Sequence, residues 1–347
     1  MNKLTDLIGV KLPIIQAPMA GAQDWALCVA VSKAGGLGSL PCALLTTEQI
    51  SDQVGSIRAH TNKPFNLNFF CHEMPDLNQD VMKRWQAMFT DDYDRFNIDE
   101  SRKSSGALRL PFGEETAELL EALKPPVVSF HFGLPTPALL KNVRDSGALI
   151  FSSATTLEEA IWLEQQGVDA VIVQGIEAGG HRGMFLSTSL EGQCDTAQLL
   201  QRCRDHVKCS LIASGGIGSA LDVKNLMDSG ADAVQVGTSY LLCDEANTSA
   251  VHRQALASDL ERETVITNVF SGRPARGLVN GMIQHLGSTN DMAPPFPYAA
   301  LATNALRAEA EKQGVSDYTP LWSGTNRKGC QKISAATLTK QLAAQVS

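Results

Sequence analysis

Short apolar runs rich in β-branched residues recur along roughly the first 240 residues of the chain. Eight stand out, at 14–17, 37–40, 65–70, 127–132, 148–152, 170–174, 210–213 and 233–237. Runs of this length bounded by turn residues read as buried strands. Between most of them, residues 25–34, 47–60, 135–145, 157–166 and 220–229 carry apolar positions every three or four residues, the spacing of a one-faced helix. Strand–helix alternation predicts a parallel sheet with crossover helices. Eight such units fit an α/β fold of the (β/α)8 TIM-barrel type; an open doubly wound sheet is the alternative.

A faint internal repeat agrees. Gly167-Val168-Asp169-Ala170-Val171-Ile172-Val173 resembles Gly230-Ala231-Asp232-Ala233-Val234-Gln235-Val236. Each is a helix-ending glycine, an aspartate and a buried strand, as expected of successive units of one barrel.

Two regions break the rhythm. Residues 71–111 hold Trp85, Tyr93 and several acidic residues but no strand pattern, and are expected to be a partly helical insertion over the barrel mouth. After position 240, residues 247–261 look helical, and two turn-rich stretches follow at 271–277 and 294–297. The expected division is a barrel over 1–240, a small, mainly helical, substrate-side domain over 241–307, and a helical segment over 308–347 that returns to the barrel.

Composition narrows the function. With 347 residues, 44% of them hydrophobic, the chain can bury one large core or one large and one small. Its formal charge of −8, with no Lys/Arg cluster, argues against nucleic acid as a partner. The eight cysteines are scattered, with no C-x-x-C and no zinc spacing, and read as reduced, mostly buried thiols. No metal site is expected. The first residues lack the apolar core of a signal peptide. No run approaches the ~18 apolar residues of a membrane span. A cytoplasmic protein without membrane contact is the expectation.

The densest chemistry lies at 169–183. A buried strand ends there in a loop holding Gln174, Glu177, His181 and Arg182 among Gly175, Gly179, Gly180 and Gly183. Glycines let backbone N–H groups approach a ligand, and a loop histidine can titrate near neutral pH. In a barrel, the residues that follow each strand converge on one face. Pro18 and Met19 would meet Asn68, His131, Gln174, Gly179, Gly180 and His181 there. Gly215, Gly216 and Gly218 after the seventh predicted strand, and Gly237, Thr238 and Ser239 after the eighth, suit a phosphate held by backbone N–H groups. Asn68 and Gln174 each offer a donor and an acceptor, the match for a flavin pyrimidine edge. Alternation puts Ser129 and His131 on one face, Phe130 and Phe132 on the other. His131 is read either as a core histidine on a backbone carbonyl or as a substrate contact. Arg182 reads as an anion contact or as a structural salt-bridge partner of Glu177 or of another carboxylate. Arg273 and Arg276 are expected to brace their own loop.

These motifs together resemble the class I nitronate monooxygenases, formerly called 2-nitropropane dioxygenases. The resemblance rests on Gln16-Ala17-Pro18-Met19, Phe65-Asn66-Leu67-Asn68, Ser129-Phe130-His131-Phe132-Gly133, the 174–183 segment, Ala213-Ser214-Gly215-Gly216-Ile217-Gly218 and Gln235-Val236-Gly237-Thr238. It implies FMN as cofactor, a barrel plus a small helical domain, and His181 as catalytic base. It places Pro18, Met19, Asn68, Gln174, Gly179, Gly180, Gly215, Gly216, Gln235, Val236, Gly237 and Thr238 around the flavin. It puts His131 and Tyr298 at the substrate, with Arg307 standing where other members carry lysine. The implied reaction is oxidation of alkyl nitronates such as propionate 3-nitronate by O2, to a carbonyl compound and nitrite, with nitroalkane detoxification as a fitting role. The partners would be a small nitro compound and O2, and a homodimer is compatible. Two rival readings share the barrel: an NADH-dependent FMN enoyl-thioester reductase, and a flavin-binding protein without turnover.

Overall fold

The computed structural model describes residues 3–104, 106–258 and 262–346. Among the described residues, eleven strands are numbered in chain order. Eight form the main sheet: β1 Ile14–Gln16, β2 Gly38–Pro41, β3 Phe65–Phe70, β4 Val127–His131, β5 Leu149–Ala154, β6 Ala170–Gln174, β8 Ser210–Ser214 and β9 Ala233–Val236. All their pairings are parallel, in the order β1-β9-β8-β6-β5-β4-β3-β2. A bridge between Ile15 and Leu37 joins the two ends and closes the barrel. Helices alternate with the strands, and many begin on a side-chain cap: Asp24, Thr46, Thr156, Asp195 and Ser219 each accept a first-turn N–H.

The repeated aspartates have one job. Asp169 accepts from the Ile150 N–H on the preceding strand at 2.8 Å, and Asp232 accepts from the Leu211 N–H at 2.8 Å. Each carboxylate thus pins the foot of its strand to its neighbour. Ile15, Val127, Phe151, Ile172 and Ile212 fill the barrel floor, and Leu4 and Ile8 of the helix Lys3–Ile8 pack beneath them. Above lies a buried polar layer. Asn66 bonds Ser39 and Ser129, and Asn68 bonds Ser129 as well. Parallel pairing of Asn68 with Ser129 makes that contact possible.

β5 continues to Ala154, two residues past the expected end, because Ser153 and Ala154 pair with β6. The helix expected at 247–261 is shorter, Ala250–Ala257, and positions 259–261 lie outside the described residues. The C-terminal stretch is not continuous helix. Among the described residues only Asn304–Lys312 and Ala335–Leu342 are helical in it, and the intervening residues cross the barrel mouth as irregular chain. Pro320, Gly324 and Gly329 break the helical pattern there.

The insertion and the later excursion share a core. Trp85, Phe89, Tyr93 and Phe96 pack with Val269, Phe270, Met282, Ala299, Leu306 and Tyr318. The Trp85 indole donates to the Ala299 carbonyl at 3.1 Å, and the Tyr93 hydroxyl to that of Ala302 at 2.8 Å. A short antiparallel sheet ties this layer to the barrel mouth: β10 Thr264–Thr267 pairs with β11 Ala275–Leu278, which pairs with β7 Gly180–His181. All eight thiols are free. No helix among the described residues is long and apolar enough to cross a membrane.

Candidate active site

One cavity opens at the C-terminal ends of the barrel strands. Pro18, Met19, Asn68, His131, Gln174, Gly179, Gly180, His181, Gly215, Gly216, Gln235, Val236, Gly237 and Thr238 all line it. Tyr298 does not. It packs against Met82 and Leu301, and its hydroxyl donates to the Pro75 carbonyl at 2.9 Å. The expected substrate contact for Tyr298 is therefore replaced by a structural one.

At one end, Gly215 and Gly216 both take positive φ, +123° and +72°. Their N–H groups, with those of Ile217 and Gly237, bond no acceptor among the described residues. Successive amides in such a turn form an anion-binding concavity. A Cβ on Gly215 would come within 2.7 Å of Thr196 Oγ1. The C-terminal crossing walls this end: Gly324 N–H donates to Thr238 Oγ1 at 2.9 Å, and Asn326 Nδ2 to the Gly216 carbonyl at 2.9 Å. It also explains Gly179, where a Cβ would lie 2.4 Å from Gly324 N. The buried Gln235 Oε1 has no protein donor. Asn68 Nδ2 donates to both the carbonyl and hydroxyl of Ser129, which fixes the amide orientation and leaves Oδ1 as a free acceptor.

At the other end the loop 175–186 is held from every side. Gln174 receives the Gly183 N–H on Oε1 at 2.8 Å and donates to the His181 carbonyl at 3.0 Å. The Gln174 amide expected at a flavin edge thus supports the loop first. Arg182 is fully buried and donates to the carbonyls of Gln174 and Gly175 and to Gln193 Oε1. It is neither an anion contact nor an ion-pair partner of Glu177, whose carboxylate instead takes the Thr196 N–H. Arg276 donates to the Ile176 carbonyl at 2.8 Å. Arg273 donates to the Met184 carbonyl and lies 4.0 Å over the Phe132 ring. Both arginines clamp the histidine loop.

His131 has both ring nitrogens engaged within the protein. Nε2 faces the His181 carbonyl at 3.2 Å and Nδ1 faces Ser153 Oγ at 3.0 Å. A carbonyl accepts only, so Nε2 carries the proton and Nδ1 accepts from Ser153. His131 thus sits on a backbone carbonyl, one of its two expected readings, while it also lines the cavity. Phe132 leaves the strand alternation: with φ +71° it turns toward the site and packs with Phe70 and Phe296.

His181 stands within 5.3–6.3 Å of the rings of Phe70, Phe132, Phe296 and Trp322. That burial, then the charge of Arg109, holds its pKa well below the usual imidazole value. Its Nε2 meets Ser271 Oγ at 2.9 Å, and Ser271 in turn donates to the Arg273 carbonyl at 3.3 Å. With the hydroxyl proton so placed, Nε2–H is the donor to Ser271 and Nδ1 is the unprotonated nitrogen. The site thus presents a neutral, oriented base. Ser271, Trp322, Asn326 and Arg109 were missed as site residues. Trp322-Ser323-Gly324-Thr325-Asn326 carries the Gly/polar signal of the other loops, and Arg109 is a lone charge in the apolar stretch 107–112.

Known proteins match this arrangement over its whole length. The chain is 35% identical to the nitronate monooxygenase of Paraburkholderia phytofirmans, covering 98% of this chain and 93% of that protein. It is 34% identical to the Pseudomonas aeruginosa enzyme of the same name, covering 98% of each. Among solved structures, nitroalkane oxidase from Streptomyces ansochromogenes superposes with a TM-score of 0.89 at 34% identity, over 99% of this chain and 97% of that one. FabK from Thermotoga maritima shares the fold, with a TM-score of 0.75 at 22% identity over 99% and 96%. The nitronate monooxygenase profile matches residues 1–345, and the chain belongs to that family of oxidoreductases.

Proposed function

We propose that this protein binds one FMN without a covalent bond and uses O2 to oxidise alkyl nitronates to a carbonyl compound and nitrite. The observation that carries the reading is His181: neutral, fixed through Nε2 by Ser271, and lining the same cavity as the free backbone donors of Gly215, Gly216 and Gly237.

The residues present fit a flavin mononucleotide. Free amides at the Gly215–Gly216 turn suit its phosphate. The unpartnered Gln235 Oε1 and the free Asn68 Oδ1 suit donors on its ring. No G-x-G-x-x-G fingerprint accompanies them, which disfavours a dinucleotide. The flavin, when bound, supplies the electron acceptor for the nitronate and the donor for O2. The chain's part is to orient substrate and handle one proton. His181 Nδ1 accepts the α-proton of a neutral nitroalkane; protonated, the same ring holds the nitro oxygens. The four aromatic rings exclude water from that transfer. On this reading, residues 1–240 are the cofactor-binding barrel and 241–307 close the substrate side, with 308–347 returning across the mouth.

Oxygen uptake and nitrite release, measured with propionate 3-nitronate and separately with NADH, test the reading. Uptake and nitrite with the nitronate, without NADH, are the expected outcome. Rapid anaerobic bleaching of the flavin by NADH, with nitronates inert, would favour the enoyl-thioester reductase instead.

A further inference from the structure

A second cavity, of about 520 Å³, opens beside the ends of β3 and β4 and the helix Pro137–Asp145. Its rim is exposed and polar, with Glu73, Thr136 and Gln166. Its floor is buried, with His72, Phe112 and Leu140. It is therefore a funnel that narrows from water to an apolar base. Arg109 and Arg307 line the main cavity, but no Lys or Arg lines the funnel among the described residues, and its acidic group is Glu73. A carboxylate without a cation turns anions away, so neither a nitronate nor nitrite suits this space. A small uncharged molecule does, as apolar cavities accept guests such as xenon.

The floor of the funnel abuts the active site. His72 packs on Phe296, Phe132 and Phe70, with ring centroids 4.7, 6.2 and 6.3 Å away. The same three phenylalanines surround His181, and Phe70 lines the main cavity. Two layers of rings thus separate the funnel from the base. The outer layer is weakly held. Both His72 ring nitrogens are buried without a hydrogen-bond partner among the described residues. Burial, then the charge of Arg273, lowers the His72 pKa to about 4, outweighing the Arg109 main chain, which favours the charged form. The ring is neutral at pH 7 and can tilt at the cost of no well-formed hydrogen bond. The main cavity, in contrast, has to hold both the flavin and the nitro compound.

Resting on the O2-dependent reading above, we propose that this funnel is the entrance by which O2 reaches the active site, with His72 as the barrier at its floor.

Leu134→Trp and Leu139→Trp put an indole into the funnel from two different elements, the turn after β4 and the helix Pro137–Asp145. In both holoenzymes kcat/KM for O2 should fall several-fold, with kcat/KM for propionate 3-nitronate unchanged. Reoxidation of the dithionite-reduced holoprotein by O2 needs no nitronate. It passes two electrons and two protons from the reduced flavin to O2, giving hydrogen peroxide, and should slow by the same factor in stopped flow. His72→Ala should speed it, and no rise would overturn His72 as the barrier. Crystals of the holoprotein under xenon pressure give a readout free of turnover: xenon should sit over His72 in the wild type and be excluded in Leu134→Trp. Unchanged O2 constants in both tryptophan variants, or no xenon in the wild-type funnel, would overturn the entrance. Xenon in the funnel and slowed reoxidation, with no oxidation of nitronates, would uphold the entrance and show that the reaction alone is wrong.

Discussion

The two ends of the cavity are built from different materials. Around Gly215, Gly216 and Gly237 the donors are backbone amides, contributed by two loops that follow neighbouring strands, and no charged side chain lines the wall. Around His181 the contacts are side chains, Phe70, His131, Ser271, Phe296 and Trp322, from five separate stretches of chain, and the charge of Arg109 acts on it as well. A backbone cradle needs local chain geometry only. A tuned base needs burial, an orienting partner and nearby charge, which no single loop supplies. The first end should therefore govern cofactor affinity and the second the proton and the substrate, and substitutions can separate them.

The largest effect should come at His181. Replacing His181 by Asn should lower kcat/KM for a neutral nitroalkane by about 10²–10⁴-fold, the usual worth of a positioned base. The nitronate, already deprotonated, should lose far less, and flavin should be retained. Equal losses on both substrates would show that His181 is not acting mainly as the base. The pH profile sharpens the point. Because the His181 pKa is lowered, its basic form persists below the ordinary imidazole range. The rate with the neutral substrate should stay level as pH falls through 6.5, and drop only on further acidification. A fall centred near 6.5 would contradict the burial argument.

Next should come Gly216→Val. A side chain there has room beside Glu177, whose nearest atom is 3.6 Å from the built Cβ, but must hold φ near +72°. A strained backbone of this kind costs on the order of 1–3 kcal/mol, so the flavin dissociation constant should rise roughly 5- to 150-fold. Saturating flavin should restore turnover. Unchanged flavin affinity would sever the turn from cofactor binding.

Ser271→Ala should have a smaller effect, confined to the other end. Losing one orienting hydrogen bond should reduce kcat/KM for the neutral nitroalkane about fivefold to tenfold, with flavin affinity unaltered. A loss of flavin here would erase the distinction between the two ends. The smallest kinetic effect should be Tyr298→Phe. Kinetics should stay within about twofold of wild type, while the orphaned Pro75 carbonyl costs about 1 kcal/mol of stability, read as a lower Tm. A large rise in KM would return Tyr298 to the substrate.

Most of the fold was legible because periodicity is local. The 65–70 and 170–174 runs are strands to the residue, and helices Trp25–Ala34 and Thr47–His60 match their apolar spacing. The backbone-built end of the site was legible for the same reason: glycines and small hydroxyls after a strand announce themselves. The bonds of His131 to Ser153 and to the His181 carbonyl join distant segments. Two readings failed through such long-range contacts. Arg182 turned inward to backbone carbonyls. Tyr298 packed under Pro75, a residue 223 positions away.

The sequence by itself determined the barrel, the strand ends that carry the site, the glycine turns and the presence of a loop histidine, since each depends on residues within a few positions of one another. Only the tertiary structure decided how that histidine is used. Its tautomer depends on Ser271, 90 positions away, and its lowered basicity on aromatic rings and arginines drawn from both excursions. Desolvation and charge act through space, so the chemistry of His181 exists only after those distant segments have packed around it.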